Sequence, residues 1–329
     1  MDRLRDVVRA GRRLYLPVQD WAIGLFGTFA RRGSYVRERI EGDDPLRDAP
    51  RAAVYVHFDK VGIVHDYVVH QLCELVGAGY RITFVSNAPD LPAESRTRVQ
   101  PLCKELIWRF NTGYDFGAYK DGIASIAGLD QLDSLILMND SVYGPFWNLR
   151  DTLAKIDVAT TDFWGIADSF ENRYHIQTFF MVFMPNALRS TAFKDFWSRL
   201  LYIDHRMWVI RNAEVRLTQV LQEAQLRTGV LAPYGAVAAT ARERLARQTP
   251  PEFKRAAFER FCAHVMKDGV VNPTQFFWDV LITDYACPFI KRDLLTSNPN
   301  NVPGTSRWPE IIAAHSSYDV GMIARHLQR

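Results

Sequence analysis

The sequence predicts an α/β fold in which a mostly parallel sheet is flanked by helices. Three observations carry this reading. From Ala52 onward short β-rich runs alternate with helical ones, the pattern of successive βαβ units. The early runs end in polar or Gly-rich residues, and in open α/β sheets ligands bind beyond the carboxyl ends of the strands. With 329 residues, 48% hydrophobic and 23% charged, the chain suits one large packed domain or two small ones. Disorder and collagen-like or coiled-coil repeats are excluded.

The chain divides into three parts. Residues 1–50 are a basic amphipathic N-terminal arm and its linker. Residues 1–40 carry nine Arg and no Lys against four acids, around the aromatic segment 14–29. Two helices joined at Pro17 would fit. Either they dock on the body, or they lie at a membrane surface with Trp21, Leu25, Phe26 and Phe29 among the headgroups and arginines on anionic lipid. The polar segment 41–50 (EGDDPLRDAP) marks a boundary by its Pro, Asp and Gly content.

Residues 51–250 hold the alternating pattern. A β-rich run at 53–58 (AVYVHF) precedes a helical stretch at 66–76, and the run 80–85 (YRITFV) ends at Ser86 and Asn87. After a Pro-rich loop come a short strand at 106–109, a helix near 116–126 and the strand 134–138 (SLILM). Later strands are expected at 163–167 and 178–184, and helices at 188–203 and 213–226. Residues 251–329 read as a helical segment packed on this body. It contains 253–266 (FKRAAFERFCAHVM) and an aromatic run at 276–278, and it serves either as an ordinary cap or as cover for an acceptor site.

Several function classes drop out. The 40 Lys+Arg are balanced by 37 Asp+Glu, and the basic excess lies in the arm with no recognition motif after it, so a nucleic-acid partner is not expected. The four cysteines form no C-x-x-C and lack His at metal-ligand spacing, which argues against a zinc site or disulfide framework and for a reducing compartment. The uncharged stretch 21–30 is about half the ~20 residues a transmembrane helix needs. Pro17 and Asp20 interrupt any signal-peptide pattern. A cytoplasmic location follows, with contact on the inner face of the cytoplasmic membrane if the arm binds lipid. No G-x-G-x-x-G, P-loop or G-x-S-x-G occurs, so dinucleotide, P-loop and α/β-hydrolase chemistry lose their best support.

Three constellations remain. In 135–145 (LILMNDSVYGP) a buried strand delivers Asn139, Asp140 and Ser141 to the sheet's edge. Asp140 is a candidate ligand for a divalent cation, Mg²⁺ or Mn²⁺, held against a diphosphate, or else a turn former. In 109–122 (RFNTGYDFGAYKDG) Gly113 and Gly117 allow close backbone approach. Arg109 and Lys120 can face phosphate, and Asn111 and Asp115 can bond sugar hydroxyls or a base. The alternative is a Gly-rich turn capping a helix. Asp59, Ser86 and Asn87 follow other strands and complete the candidate donor-binding set. Third, Glu214 stands at an expected helix start, as an electrostatic cap or as a general base. His205 and Arg211 are near it in sequence.

These motifs, in order, resemble the rhamnan synthesis protein F family of bacterial glycosyltransferases. The resemblance runs through VYVHFD (54–59), FVSN (84–87), RFNTGYDFGAYKDG, LILMNDSVYGPF, DFWGIADS (162–169) and HIQTFFMVF (175–183). It continues in AEVRLTQVL (213–221), NPTQFFW (272–278) and PFIKRDLL (288–295). It implies a GT-A-like glycosyltransferase fold with Asp140 in the metal position and Glu214 in the base position. The strand-end motif has one acid where D-x-D has two, which leaves Lys120 and Arg109 as alternative charge partners. The resemblance further implies a dTDP-L-rhamnose donor, transfer with inversion and a polysaccharide or lipopolysaccharide acceptor, free or lipid-linked. A catalytically silent sugar-nucleotide or glycan-binding subunit is the competing reading.

Overall fold

The computed structural model describes residues 20, 23–24, 34–44, 46, 48–247, 265 and 270–329. Most of the expected arm, and nearly all of the expected helix 253–266, lie outside the described residues. Of the arm, Asp20 pairs with Arg211 and accepts a hydrogen bond at its carbonyl from the Trp208 indole at 3.0 Å.

Eleven short strands are described. β1 is Val36–Glu41, β2 Arg51–His57, β3 Arg81–Ser86, β4 Glu105–Arg109 and β5 Ser134–Asn139. β6 is Val142–Tyr143, β7 Phe163–Ser169, β8 His175–Ile176 and β9 Phe180–Phe183. β10 is Thr228–Ala232 and β11 Ile290–Lys291. Nine of them form one sheet in the order β1-β4-β3-β2-β5-β9-β7-β10, with β8 attached to β7, while β6 and β11 make a separate pair. The stretch β4-β3-β2-β5 is parallel. The sheet as a whole is mixed, because β9 runs antiparallel between β5 and β7 and β1 runs antiparallel on the edge.

Five strands, β1, β6, β8, β10 and β11, have no counterpart in the sequence reading. β1 (VRERIE) alternates half-buried and exposed residues, so charge dominates its composition, as edge strands tolerate and even require. It brings residues 36–41 into the sheet. β10 is short and contains Gly229, and it follows β7 in parallel register from Thr228 opposite Phe163. The expected helix 188–203 is two helices, Pro185–Arg189 and Thr191–Arg199. Ser190 lies between them in extended conformation, and its hydroxyl accepts from Phe193 N–H to cap the second. The expected helix 213–226 starts earlier. A turn of α-helix, Arg206–Val209, leads through a π-helical turn, Ile210–Glu214, into Val215–Glu223.

Side chains alternate across a strand, and here each face has its own core. Ala53, Tyr55, Ile82, Phe84, Ile136 and Met138 pack on one side with Leu72 and Leu75 of the helix Asp66–Gly77. Trp278, Leu281, Ile312 and Ile323 from the C-terminal helices join that same layer. Val54, Val56, Val85, Ile107, Leu135 and Leu137 pack on the other side, against the helix Tyr114–Ala124 and the helices near 193–221.

The second interface is closed by Gly122. A Cβ there would run into Val54 Cγ1 and lie 3.1 Å from Val85 Cγ2. Gly122→Ala gains about 1 kcal/mol of helix propensity, but overpacking a sheet-facing core costs about 1–3 kcal/mol. The variant should therefore lose about 1 kcal/mol in urea unfolding. The double variant Val54→Ala/Gly122→Ala should be more stable than the sum of the single losses by at least about 1 kcal/mol. Strict additivity would show that the two residues do not compete for space.

Candidate active site

The carboxyl ends of β2, β3 and β5 meet at one edge, where the chain leaves each strand in polar sequence. Asp140, immediately after β5, is 5% exposed. Its Oδ2 accepts from Phe58 N–H at 3.1 Å and from the Arg292 guanidinium at 3.2 Å. Arg292 also donates to the Tyr67 hydroxyl at 2.7 Å, and its own N–H bonds the Ser141 carbonyl at 2.8 Å. The Asp140 charge holds the guanidinium above its ordinary value.

Asn139 works as a bracket. Its amide donates to Asp115 Oδ2 at 2.8 Å, and its Oδ1 accepts from Ser141 N–H at 3.1 Å and Ser141 Oγ at 2.5 Å. Burial, and after it the charges of Asp140 and Glu214, push the Asp115 carboxyl up to about 6. Glu214 reaches the same region from the π-helical turn, a distortion frequent at functional sites. Its Oε1 accepts from Thr178 Oγ1 at 3.1 Å. Lys291, at the end of β11, lies with its ammonium 4.5 Å from the centre of the Phe179 ring. Burial lowers it, against the pull of Asp293, Glu214 and Asp115.

Asp115, Asn139, Asp140, Ser141 and Glu214 are thus brought together. Ser86, Asn87 and Asp59 stand beside them with their polar atoms engaged. Ser86 Oγ lies 3.1 Å from His57 Nδ1. Asp59 Oδ1 accepts from Val61 and Ile63 N–H. Burial opposes ionisation of Asp59, but the hydrogen bonds from His65 and the loop N–H groups outweigh it and hold the carboxyl well below its ordinary value.

Four expected donor-binding residues do something else. Arg109 is fully buried, bound to Asp121 at 2.6 Å, Asn87 Oδ1 at 2.7 Å and the Thr112 carbonyl at 2.8 Å. It clamps the loop and does not face phosphate. Lys120 donates to the carbonyls of Ser198 and Leu200 at 3.0 and 2.6 Å, because its helix turns that side chain away from the edge. Gly113, at φ +78°, donates to Asp204 Oδ1. The close approach at Gly117 is to the Thr112 carbonyl and to the Tyr202 ring, within the protein. Asn111 is exposed. The Gly-rich segment is, in this respect, a packed helix start. His205 likewise caps a helix through Trp208 N–H at 3.2 Å. Asp168, near the end of β7, accepts from Tyr234 N–H at 2.6 Å.

Lys291, Arg292, Tyr67 and Thr178 carry no role in the sequence reading. The first two had a signal, a Lys-Arg pair directly after the apolar PFI of PFIKRDLL. Tyr67 and Thr178 had none.

A divalent cation takes about six oxygen ligands. Among the described residues no three His, Cys, Asp or Glu gather in a way that could hold one. One oxygen of Asp140 is taken up by a guanidinium, while the amide of Asn139 and the hydroxyl of Ser141 are committed to each other and to Asp115. This donor set does not fit a cation held by the protein alone.

Comparison with known proteins agrees with the motif reading. The family model for rhamnan synthesis protein F matches residues 82–240, just under half of the chain, and takes in the motifs from FVSN to AEVRLTQVL. The "Uncharacterized protein y4gN" of Sinorhizobium fredii is 28% identical over 200 residues, 59% of this chain and 51% of that protein. The "Virulence protein VirA" of Vibrio anguillarum is 28% identical over 206 residues, 61% of this chain and 65% of VirA. The chain therefore spans between half and two thirds of these curated relatives. Among solved structures, the glycosyltransferase GlyE of Streptococcus pneumoniae aligns with 84% of this chain and 63% of its own, at TM-score 0.41 and 11% identity. TarS 1–349 of S. aureus aligns with 72% of this chain and 80% of its own, at TM-score 0.35 and 11% identity. No described helix is long and apolar enough to cross a membrane.

Asp115 supplies a test of this electrostatic arrangement. Its folded value, about 6, exceeds the ordinary 3.8, so the folded state binds the proton more tightly than the unfolded chain. Its cost to stability is absent below the unfolded value and grows as pH rises toward the folded one. Asp115→Asn keeps an acceptor for Asn139 and removes the charge. The variant should be more stable than wild type at pH 8, by about 1–3 kcal/mol, and the gap should close by pH 3.5. Equal melting temperatures at pH 8 would contradict the arrangement.

Proposed function

We propose that this chain is an inverting glycosyltransferase of bacterial polysaccharide or lipopolysaccharide assembly, taking a deoxysugar, rhamnose, from a dTDP-activated donor. A GT-A-like use of the sheet edge goes with this reading, and the family match supports it. The observation that carries it is the meeting of Glu214, Asp115 and Asp140 at one edge of the sheet. They come from three distant segments, with two cations beside them.

A sugar hydroxyl becomes a competent nucleophile as its proton leaves. Glu214 offers a carboxylate held on one oxygen by Thr178, while the other has no hydrogen bond among the described residues. In the proposed step the acceptor oxygen bonds to the donor's anomeric carbon as its proton passes to Glu214. The anomeric carbon–oxygen bond breaks, and its electron pair leaves on the nucleoside diphosphate. Ser141, whose hydroxyl oxygen can still accept a hydrogen bond, would contact the donor, with Asn139 holding Ser141 and Asp115 holding Asn139. If the arm binds lipid, it would bring the site to a membrane-borne acceptor.

Glu214→Gln preserves shape and the Thr178 bond but accepts no proton. Transfer should fall at least ~100-fold, the usual worth of a positioned base, with donor affinity changed by no more than a few fold. Transfer rate, donor Kd and melting temperature measured together decide it. Near wild-type transfer removes Glu214 as base, and absence of any nucleotide diphosphate release by wild type favours the silent binding subunit.

A further inference from the structure

Two cations in this site have unused bonding capacity. Arg292 uses Nη1 for Tyr67 and Asp140, while Nε and Nη2 make no hydrogen bond among the described residues, and its side chain is one quarter exposed. The Lys291 ammonium has neither a hydrogen bond nor an ion pair among the described residues, only the face of Phe179. A largely buried ammonium is costly unless something compensates it, and the nearby acids act on it only through space. Five guanidinium N–H donors in a fixed fork match oxyanion geometry, and here part of that fork has no partner among the described residues.

The backbone holds the two residues in place. Lys291 is in register with Val142 and Ile290 with Tyr143 in the β6–β11 pair, so the Lys-Arg step is fixed directly beside the strand-end motif. Lys291 lies toward Asp115 and Glu214, and Arg292 toward Asp140 and Tyr67.

We propose that Lys291 and Arg292 form the cradle for the donor's diphosphate, supplying through fixed side chains the charge that a divalent cation would otherwise bring. This rests on the transferase reading above. Asp140 then serves to aim Arg292. During transfer the cradle would neutralise the charge that collects on the diphosphate as the anomeric bond breaks, with no metal in the step.

Calorimetric titration of the full chain with inorganic pyrophosphate and with dTDP, in EDTA and then in Mg²⁺ or Mn²⁺, tests it. Both probes should bind in EDTA with affinities within about threefold of those with metal. Arg292→Ala and Lys291→Gln should each weaken binding by about 10- to 100-fold, as expected for charge-assisted bonds. Should Arg292→Ala fail to fold because it strands Asp140, Arg292→Lys keeps the pair, loses the fork and should still weaken both probes severalfold. Binding abolished by EDTA and restored by Mn²⁺ equally in wild type and variants would overturn the cradle and leave the transferase reading intact. Pyrophosphate held in EDTA and lost in the variants, with no sugar nucleotide bound or cleaved, would keep the cradle and remove the transferase reading. No binding of either probe under any condition would overturn the cradle.

Discussion

The pairing of Asp140 with Arg292 is the constraint on which the site's architecture turns. It joins the end of a central strand to a residue 152 positions later, and through Tyr67 it ties in the helix Asp66–Gly77 as well. Removing one partner of such a buried pair costs about 3–5 kcal/mol, yet an apolar replacement of both is often neutral. Stability alone therefore gives little reason for two charges here. What the pair does is hold a guanidinium with open N–H groups at the mouth of the sheet.

The central sheet was legible because its strands are apolar runs bounded by polar turns. β2, β3, β4 and β5 fall within a residue or two of their expected places. The edge strand β1 was not legible, since half of its residues face water and are charged. The helix carrying Glu214 was expected, but its π-helical turn depends on tertiary packing that no local pattern encodes. Of the site, the residues that follow strands were legible by position alone. The assignment of charge partners was not. Arg109 and Lys120 are adjacent in sequence to the site motif, but helix periodicity and burial turn them toward Asp121 and the carbonyls near 200. Nothing along the chain ties Arg292 to Asp140, because only the docking of the C-terminal segment brings them together.

That docking also accounts for the balance of charge at the edge. The strands and the two helical elements on their far side contribute carboxyls: Asp140 after β5, Asp115 at a helix start and Glu214 from the π-helical turn. Left to themselves, three acids brought together here repel one another, and the elevation of Asp115 records its burial first and that repulsion second. Both cations come from β11 and the residue after it. The same segment sends Trp278, Leu281, Ile312 and Ile323 into the core layer shared with Tyr55 and Leu72. Apolar burial of these side chains, at roughly 1.5–3 kcal/mol each, together outweighs any single polar contact at the sheet edge. Hydrophobic packing therefore drives the C-terminal segment onto the sheet, and the charges arrive with it. A helical cap and half of the site's electrostatics are in this way one structural event.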